Sequence, residues 1–142
     1  MPPQLNSPEI QAFVTGFPVA LLHAGVTLLL LIAGAGLYIL LTPHREIALI
    51  RDRNSAAALS LAGVLVGLAI PLAVSLGSST SLIEVGLWGV AAIVVQLLVF
   101  RLLDFLLRGL PQRIQDGEIS AAILLAGAKV GSALILAAAF SG

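Results

Sequence analysis

The chain has 142 residues, of which 59% are hydrophobic and only 10% are charged, and its formal net charge at pH 7 is zero. A soluble domain carries about 25% charged residues, so water cannot be the main solvent for this surface, and a lipid bilayer must cover much of it. The lack of net positive charge argues against nucleic acid as a partner. The lack of cysteine excludes disulfides and thiolate metal sites.

The N-terminal segment, residues 1–17, has no Lys or Arg, so a secretory signal with a positive start is not expected. Ser7-Pro8-Glu9 has the order of a helix start, with a hydroxyl cap, a proline in the first turn and an early acid. Apolar residues then follow at helical spacing: Ile10, Phe13, Val14 and Phe17. This pattern predicts a short helix in the membrane interface that ends or kinks at Pro18, with a frayed tail as the alternative.

Four apolar stretches come next, and each is at least as long as the roughly 20 residues that a helix needs to cross about 30 Å of hydrocarbon. They cover residues 18–41, 55–76, 82–107 and 119–140. In lipid the backbone must satisfy its own hydrogen bonds, which leaves helices or closed barrels, and these runs lack the alternation of a barrel strand. The sequence therefore predicts an all-α membrane protein with four transmembrane helices.

Arginines are concentrated around two connections, the one between the first and second spans and the one at the end of the third span. Six of the seven basic residues are Arg45, Arg51, Arg53, Arg101, Arg108 and Arg113. Positively charged connections stay in the cytoplasm, so both of these loops, the first of which ends at Asn54, are predicted to be cytoplasmic. Both chain termini are then predicted to lie outside.

The two halves of the chain resemble each other at an offset of 64 residues. Residues 54–70 align with 118–134, and the aligned pairs include the glycines of both segments. The same offset also aligns the loop residues Asp52 and Asp116, just before these segments. The pattern predicts two repeated two-span hairpins, residues 18–76 and 82–140, with the same orientation in the membrane. The alternative is chance, because small apolar residues coincide easily in membrane helices.

Glycine pairs occupy equivalent places in the second and fourth spans. Gly63 and Gly67 form one pair, and Gly127 and Gly131 form the other. Residues four apart share a helix face, and glycines there let two helix backbones approach closely in lipid. The pairs predict close helix packing, with a purely compositional origin as the alternative.

Lys129 lies near the middle of the fourth span, where a lysine costs about 2.5–3.5 kcal/mol. Lys129 lies about 200° around the helix from Gly127, so its side chain is expected to point away from the glycine face. It would then face a cavity, the third span or another subunit. Counting 1.5 Å per residue puts Gln96 at the same depth and Asp104 roughly 13–17 Å away, so no carboxylate partner is expected. Lys129 either snorkels toward water or lines a polar path.

Other polar residues in the spans have local interpretations. His23 lies about two turns inside the first span, where it either relays protons or hydrogen-bonds a backbone carbonyl. Arg101 and Asp104 are three residues apart near the end of the third span, a spacing that predicts an ion pair between them.

Motifs for catalysis and for cofactor binding are missing from the sequence. It contains no G-x-S-x-G turn, no recognisable catalytic triad, no His-Glu-x-x-His pattern, no Walker loop and no dinucleotide fingerprint. We therefore expect neither an enzyme, nor a metal site, nor a cofactor.

Several short motifs together resemble the small YjfL-type inner-membrane proteins of bacteria. They are Thr42-Pro43-His44, Asn54-Ser55-Ala56-Ala57-Ala58, the pair Gly63 and Gly67, Ile70-Pro71-Leu72, Trp88-Gly89 and Gln96-Leu97-Leu98-Val99-Phe100. The resemblance covers roughly residues 28–141. It implies a bacterial inner-membrane protein with four spans and no established activity.

Two functional hypotheses follow from these features. In the first, the protein forms homo-oligomers and contributes to a pathway for an ion or small solute, lined by Lys129, Gln96 and His23. In the second, it is a scaffold in the lipid that binds a cytoplasmic or membrane protein through its two basic loops. The loop residues are Arg45, Arg51, Arg53, Asn54, Arg108 and Arg113.

Overall fold

A computed structural model describes residues 6–42 and 46–141 of the chain, and Arg45 of the first loop lies outside these residues. The described residues form six helices and no strand. The helices are α1 (Pro8–Leu41), α2 (Glu46–Arg51), α3 (Ser55–Ser78), α4 (Leu82–Leu106), α5 (Leu110–Gln115) and α6 (Ile119–Ser141). Four of them, α1, α3, α4 and α6, are long and apolar enough to cross a membrane. The predicted all-α architecture with four spans is confirmed.

Helix α1 is a single helix of 34 residues. It begins as predicted, because the Ser7 hydroxyl accepts a hydrogen bond from the Ile10 amide at 3.4 Å. It does not restart at Pro18, since the proline removes one backbone hydrogen bond and the rest of this long helix continues on either side. At 1.5 Å per residue the helix is about 51 Å long, well beyond the roughly 30 Å of hydrocarbon.

Helix α3 is the central helix of the bundle. It packs most extensively against α6 and also contacts α1 and α4, while α1 and α4 contact each other. The apolar core between α1, α3 and α4 consists of Ala35, Tyr38, Val64, Leu68, Leu72, Ile93, Leu97 and Phe100. Two of these core residues, Tyr38 and Phe100, also contact the Lys129 ammonium.

Close backbone packing occurs at the glycines of α3. A Cβ atom added to Gly63 would lie 2.6 Å from Ala126 Cβ and 2.8 Å from Ala126 Cα, and one added to Gly67 would lie 2.7 Å from the Phe100 ring. Added Cβ atoms at Gly127 and Gly131 would meet nothing within 4 Å. The predicted packing role of Gly127 and Gly131 is therefore wrong within this chain. The reason is helical rotation, because about 100° per residue separates Gly127 from the Ala126 face that contacts α3.

The two short helices lie at one end of the bundle, which we call the loop end. Helices α2 and α5 begin 64 residues apart, and so do α3 and α6. Each short helix is followed by a residue in the left-handed region, Arg53 (φ 63°) after α2 and Gly117 (φ 86°) after α5. The internal repeat remains a prediction, and these matched turns support it.

Side chains at the loop end fix the two connections to each other. Asn54 caps α3 by accepting a hydrogen bond from the Ala57 amide, and its side-chain amide donates to the carbonyls of Ile114 and Gln115, each at 3.1 Å. Arg113 forms an ion pair with Glu118. The remaining described loop arginines, Arg51, Arg53 and Arg108, are exposed. That the loop end faces the cytoplasm remains a prediction.

Candidate functional site

Four polar residues from four helices meet inside the bundle near the loop end. This charge cluster consists of Tyr38 on α1, Glu46 on α2, Asp104 on α4 and Lys129 on α6. The ammonium of Lys129 donates a hydrogen bond to the Tyr38 hydroxyl at 2.6 Å and lies 3.0 Å from Asp104 Oδ1. Lys129 has no exposed surface, so this is a buried ion pair within one chain.

The ion pair corrects two predictions about Asp104. Asp104 pairs with Lys129 and not with Arg101, and the depth count that separated Asp104 from Lys129 is wrong. Side chains on a helix lean toward its N-terminus. Helix α4 ends at the loop end and α6 begins there, so Asp104 leans away from the loop end while Lys129 leans toward it. The long lysine stem then closes the remaining gap.

Aromatic rings form the apolar wall around the ammonium. The Lys129 Nζ atom lies 4.5 Å from the centre of the Tyr38 ring and 5.4 Å from the centre of the Phe100 ring. The two rings contact each other edge to face, with centroids 6.1 Å apart. Cation–π attraction of about 0.5–2 kcal/mol offsets part of the cost of removing the ammonium from water. Lys129 therefore does not snorkel to the surface.

Glu46 brings a second carboxylate into the charge cluster. It is the first residue of α2, its exposed fraction is 5%, and it lies close to Tyr38. Burial raises the pKa of Glu46 from 4.5 to about 7, and the nearby positive charge of Lys129 opposes that rise. The sequence pattern does not identify Glu46, because a single acid in an arginine-rich loop is typical of a solvated side chain. The one feature of the sequence that indicates burial of Glu46 is its position next to apolar loop residues.

A small cavity adjoins the charge cluster on its loop-end side. Its volume is ≈ 10 Å³, which is the space that one buried water needs. Tyr38, Glu46, Asp104 and Ser60 line it together with residues of α2 and α5. Within the part of the chain that the structure describes, Glu46 Oε2 has no hydrogen-bond partner, and Asp104 Oδ1 lacks a well-aligned one. Two carboxylates beside the cavity therefore retain capacity to accept a proton or a hydrogen bond.

Gln96 lies next to the charge cluster but does not reach the ammonium. It is fully buried, and its amide donates to the Ser132 hydroxyl at 3.2 Å, which in turn donates to the Lys129 carbonyl at 2.8 Å. His23 lies elsewhere, because it precedes Tyr38 by fifteen residues of α1, a rise of about 22 Å. Of the three residues predicted to line a polar path, the structure brings Lys129 and Gln96 close together and leaves His23 apart.

Among residues 6–42 and 46–141, no group of three or more His, Cys, Asp or Glu side chains could hold a metal ion.

The raised pKa of Glu46 predicts a dependence of stability on pH. Folded Glu46 holds its proton up to about pH 7, whereas the unfolded carboxyl loses it near 4.5, so the free energy of unfolding should fall as pH rises between these values. The expected loss is about 1–3 kcal/mol. Thermal unfolding in detergent from pH 4.5 to 8 measures it, and Glu46→Gln should flatten that part of the profile. An equal slope in both proteins would contradict the prediction.

Comparison with known proteins gives one consistent relationship. The model of the DUF350 family, described as a domain of unknown function, matches residues 12–140. The chain is 32% identical over 102 residues to UPF0719 inner membrane protein YjfL of Escherichia coli strain K12, an alignment that covers 72% of this chain and 77% of that protein. The protein of the same name from strain O157:H7 gives the same values. No solved structure matches the chain significantly.

Proposed function

This chain belongs to the DUF350 family as a multi-pass inner-membrane protein, and we propose that it contributes to a pathway for an ion or small solute. The charge cluster is the binding point of that pathway. Two carboxylates and one ammonium inside a membrane bundle are expensive to bury, and such residues usually mark ion or substrate pathways. The observation that carries the proposal is the Lys129–Asp104 ion pair, with Glu46 buried beside it.

The buried state of Lys129 defines the kind of pathway. An ammonium that lines an open channel contacts water, whereas Lys129 has no exposed surface and bonds to Tyr38 and Asp104. We therefore propose a closed binding site that exchanges its occupant by local movement, as carriers do. A permanently open pore does not fit this geometry.

Homo-oligomer formation is part of the same proposal. Gly127 and Gly131 leave open space beside α6, since added Cβ atoms there meet nothing within 4 Å. Small residues on an unoccupied helix face let a second transmembrane helix approach closely. A second copy of the chain on this face would leave the charge cluster intact, because all four cluster residues come from one chain.

Flux measurements in liposomes test the proposed pathway. We expect purified protein in liposomes to dissipate an imposed gradient of protons, Na⁺ or K⁺, and we expect Lys129→Leu to lower that flux by about tenfold or more, because it removes the buried ammonium. Arg108→Gln, which removes an exposed positive charge at the loop end, serves as the control and should keep native flux. The absence of any flux from the native protein under every gradient would overturn the proposal.

The scaffold function remains the second candidate, and the geometry of the loop end favours it. The Asn54 side chain of the first loop hydrogen-bonds the backbone of the second loop. The exposed side chains of Arg51, Arg53 and Arg108 therefore belong to two loops that contact each other. Clustered arginines next to spanning helices attract anionic lipid headgroups or acidic protein surfaces. A native protein without flux that retains a co-purifying partner, and loses it in Arg51→Gln/Arg53→Gln, would favour the scaffold.

A further inference from the structure

We infer that the ion exchanged at the charge cluster is the proton, and that it passes between Lys129 and Glu46 through the hydroxyl of Tyr38. This inference rests on the proposed function and names the transported species. It assigns Glu46, on the short helix α2, as the group that exchanges protons with the loop end.

The three residues adjoin one another in one line. The Lys129 ammonium donates a hydrogen bond to the Tyr38 hydroxyl at 2.6 Å, and Tyr38 and Glu46 line the same small cavity. A phenolic hydroxyl accepts one hydrogen bond while it donates another, so Tyr38 can receive a proton from one side as it gives one to the other. The line joins α6, α1 and α2 and so runs from the interior of the bundle to the loop end.

The transfer step balances in protons and in charge. A proton leaves Lys129 Nζ and bonds to the Tyr38 oxygen, while the original hydroxyl proton of Tyr38 moves to a Glu46 carboxylate oxygen. The amine becomes neutral, the carboxylate becomes a neutral acid and the phenol is unchanged. The net charge of the cluster stays the same, and the unpaired negative charge moves from Glu46 to Asp104, which a neutral Lys129 amine still contacts.

Glu46 has a free oxygen and a cavity beside it. Among residues 6–42 and 46–141 its Oε2 atom has no hydrogen-bond partner, and the adjacent cavity has the volume of about one water. Leu49 on α2 and Pro111 and Ile114 on α5 also line that cavity. One water in this cavity would take the proton from Glu46 toward the loop end with little movement of the fold.

Charge and size both favour a proton over a metal cation. The cluster contains two carboxylates and one ammonium, so one additional proton makes it neutral. The titratable groups that act on Glu46 are Lys129, Asp104 and Tyr38, while α3 and α5 line the cavity with uncharged side chains such as Ser60. A hard metal cation takes several oxygen ligands, and a cavity of ≈ 10 Å³ does not hold them. The pKa of Glu46, at about 7, allows proton exchange near neutral pH.

Proton flux into liposomes tests the assignment. Native protein and variants are reconstituted with a pH-sensitive dye inside the vesicles, and a pH gradient is imposed with a potassium ionophore to prevent charge build-up. We expect Glu46→Gln and Tyr38→Phe each to lower proton flux by about tenfold or more. Tyr38→Phe keeps the ring against Lys129 and removes only the relaying oxygen. The control is Asp52→Asn, which removes an exposed carboxylate at the loop end and should keep native flux.

Infrared spectroscopy provides a readout that does not depend on transport. We expect the native protein in detergent to show a protonated carboxyl band that disappears as pH rises through about 7, and we expect Glu46→Gln to lack it. If Glu46→Gln fails to fold, Glu46→Asp and Tyr38→Phe provide the flux comparison. The shorter carboxylate of Glu46→Asp should reduce flux without abolishing it.

The possible results distinguish failure of the proton assignment from failure of the broader pathway. Native flux of Na⁺ or K⁺ without proton flux would overturn the assignment and leave the pathway standing. Full proton flux in both Glu46→Gln and Tyr38→Phe would also overturn it. The absence of flux for every ion would reject the pathway and the assignment together.

Discussion

Replacing Asp104 with alanine should destabilise the protein by about 3 kcal/mol or more. The substitution leaves the Lys129 ammonium without its carboxylate partner at 3.0 Å, in a site where Lys129 has no contact with solvent. Glu46 and Tyr38 compensate for part of the lost interaction, because both are already close to the ammonium. Thermal or denaturant unfolding in detergent micelles measures the change.

Exposed aspartates provide the control for this prediction. Asp52→Ala and Asp116→Ala remove the same side chain from exposed positions at the loop end and should change stability by within about 0.5 kcal/mol. Equal effects at all three positions would show that the buried ion pair contributes nothing specific to stability.

The double variant Asp104→Leu/Lys129→Met separates stability from function. Replacing both members of a buried ion pair with apolar side chains of similar volume is often neutral or stabilising by about 1–4 kcal/mol. We therefore expect the double variant to recover most of the stability that Asp104→Ala loses. Its ion flux should be as low as that of Lys129→Leu, because the buried ammonium is gone while Glu46 remains. A stable double variant with native flux would remove the charge cluster from the mechanism.

Replacing Gly63 with leucine should be the most disruptive change in the apolar packing. An added Cβ would lie 2.8 Å from the Ala126 Cα atom, which belongs to the backbone, so α6 as a whole would have to shift. Overpacking of this kind costs about 1–3 kcal/mol and sometimes more. Lys129 lies three residues after Ala126 on the same helix, so the shift would also disturb the ion pair. Unfolding in detergent and ion flux should both report the damage.

Gly127→Leu is the matched control, because it places the same side chain on α6 where an added Cβ meets nothing within 4 Å. We expect its stability as a monomer to stay within about 0.5 kcal/mol of the native value. If Gly127 contacts a second copy of the chain, the same substitution should dissociate the oligomer in detergent. Equal destabilisation by Gly63→Leu and Gly127→Leu would contradict the packing described for α3 and α6.

Apolar run length predicted the spans well because length and composition decide whether a helix crosses a bilayer. All four spans appear where the uninterrupted apolar runs lie, and Ser7 caps α1 as its hydroxyl predicts. The continuation of α1 through Pro18 was not predictable from a local rule, since a proline can either end a helix or bend it.

Contacts within the charge cluster were much harder to predict. Lys129 was identified as unusual, but its partners Asp104, Tyr38 and Glu46 come from three other helices, and helix rotation and side-chain lean decide which groups meet. A depth count along each helix axis ignores both of these effects. The wrong prediction that Gly127 packs within this chain has the same cause. A sequence pattern identifies a helix face that can pack, but it does not specify which neighbouring helix covers that face.

The charge cluster stays incomplete during synthesis until α6 is made. Lys129 belongs to the last of the four spans, whereas Tyr38, Glu46 and Asp104 are all synthesised before it. Until α6 enters the lipid, two carboxylates near the loop end lack their positive counterpart, and α3 lacks the helix that covers Gly63. A nascent chain that stops before α6 therefore has two carboxylates at the bundle interior without the ammonium that pairs with them, and an uncovered glycine face on α3.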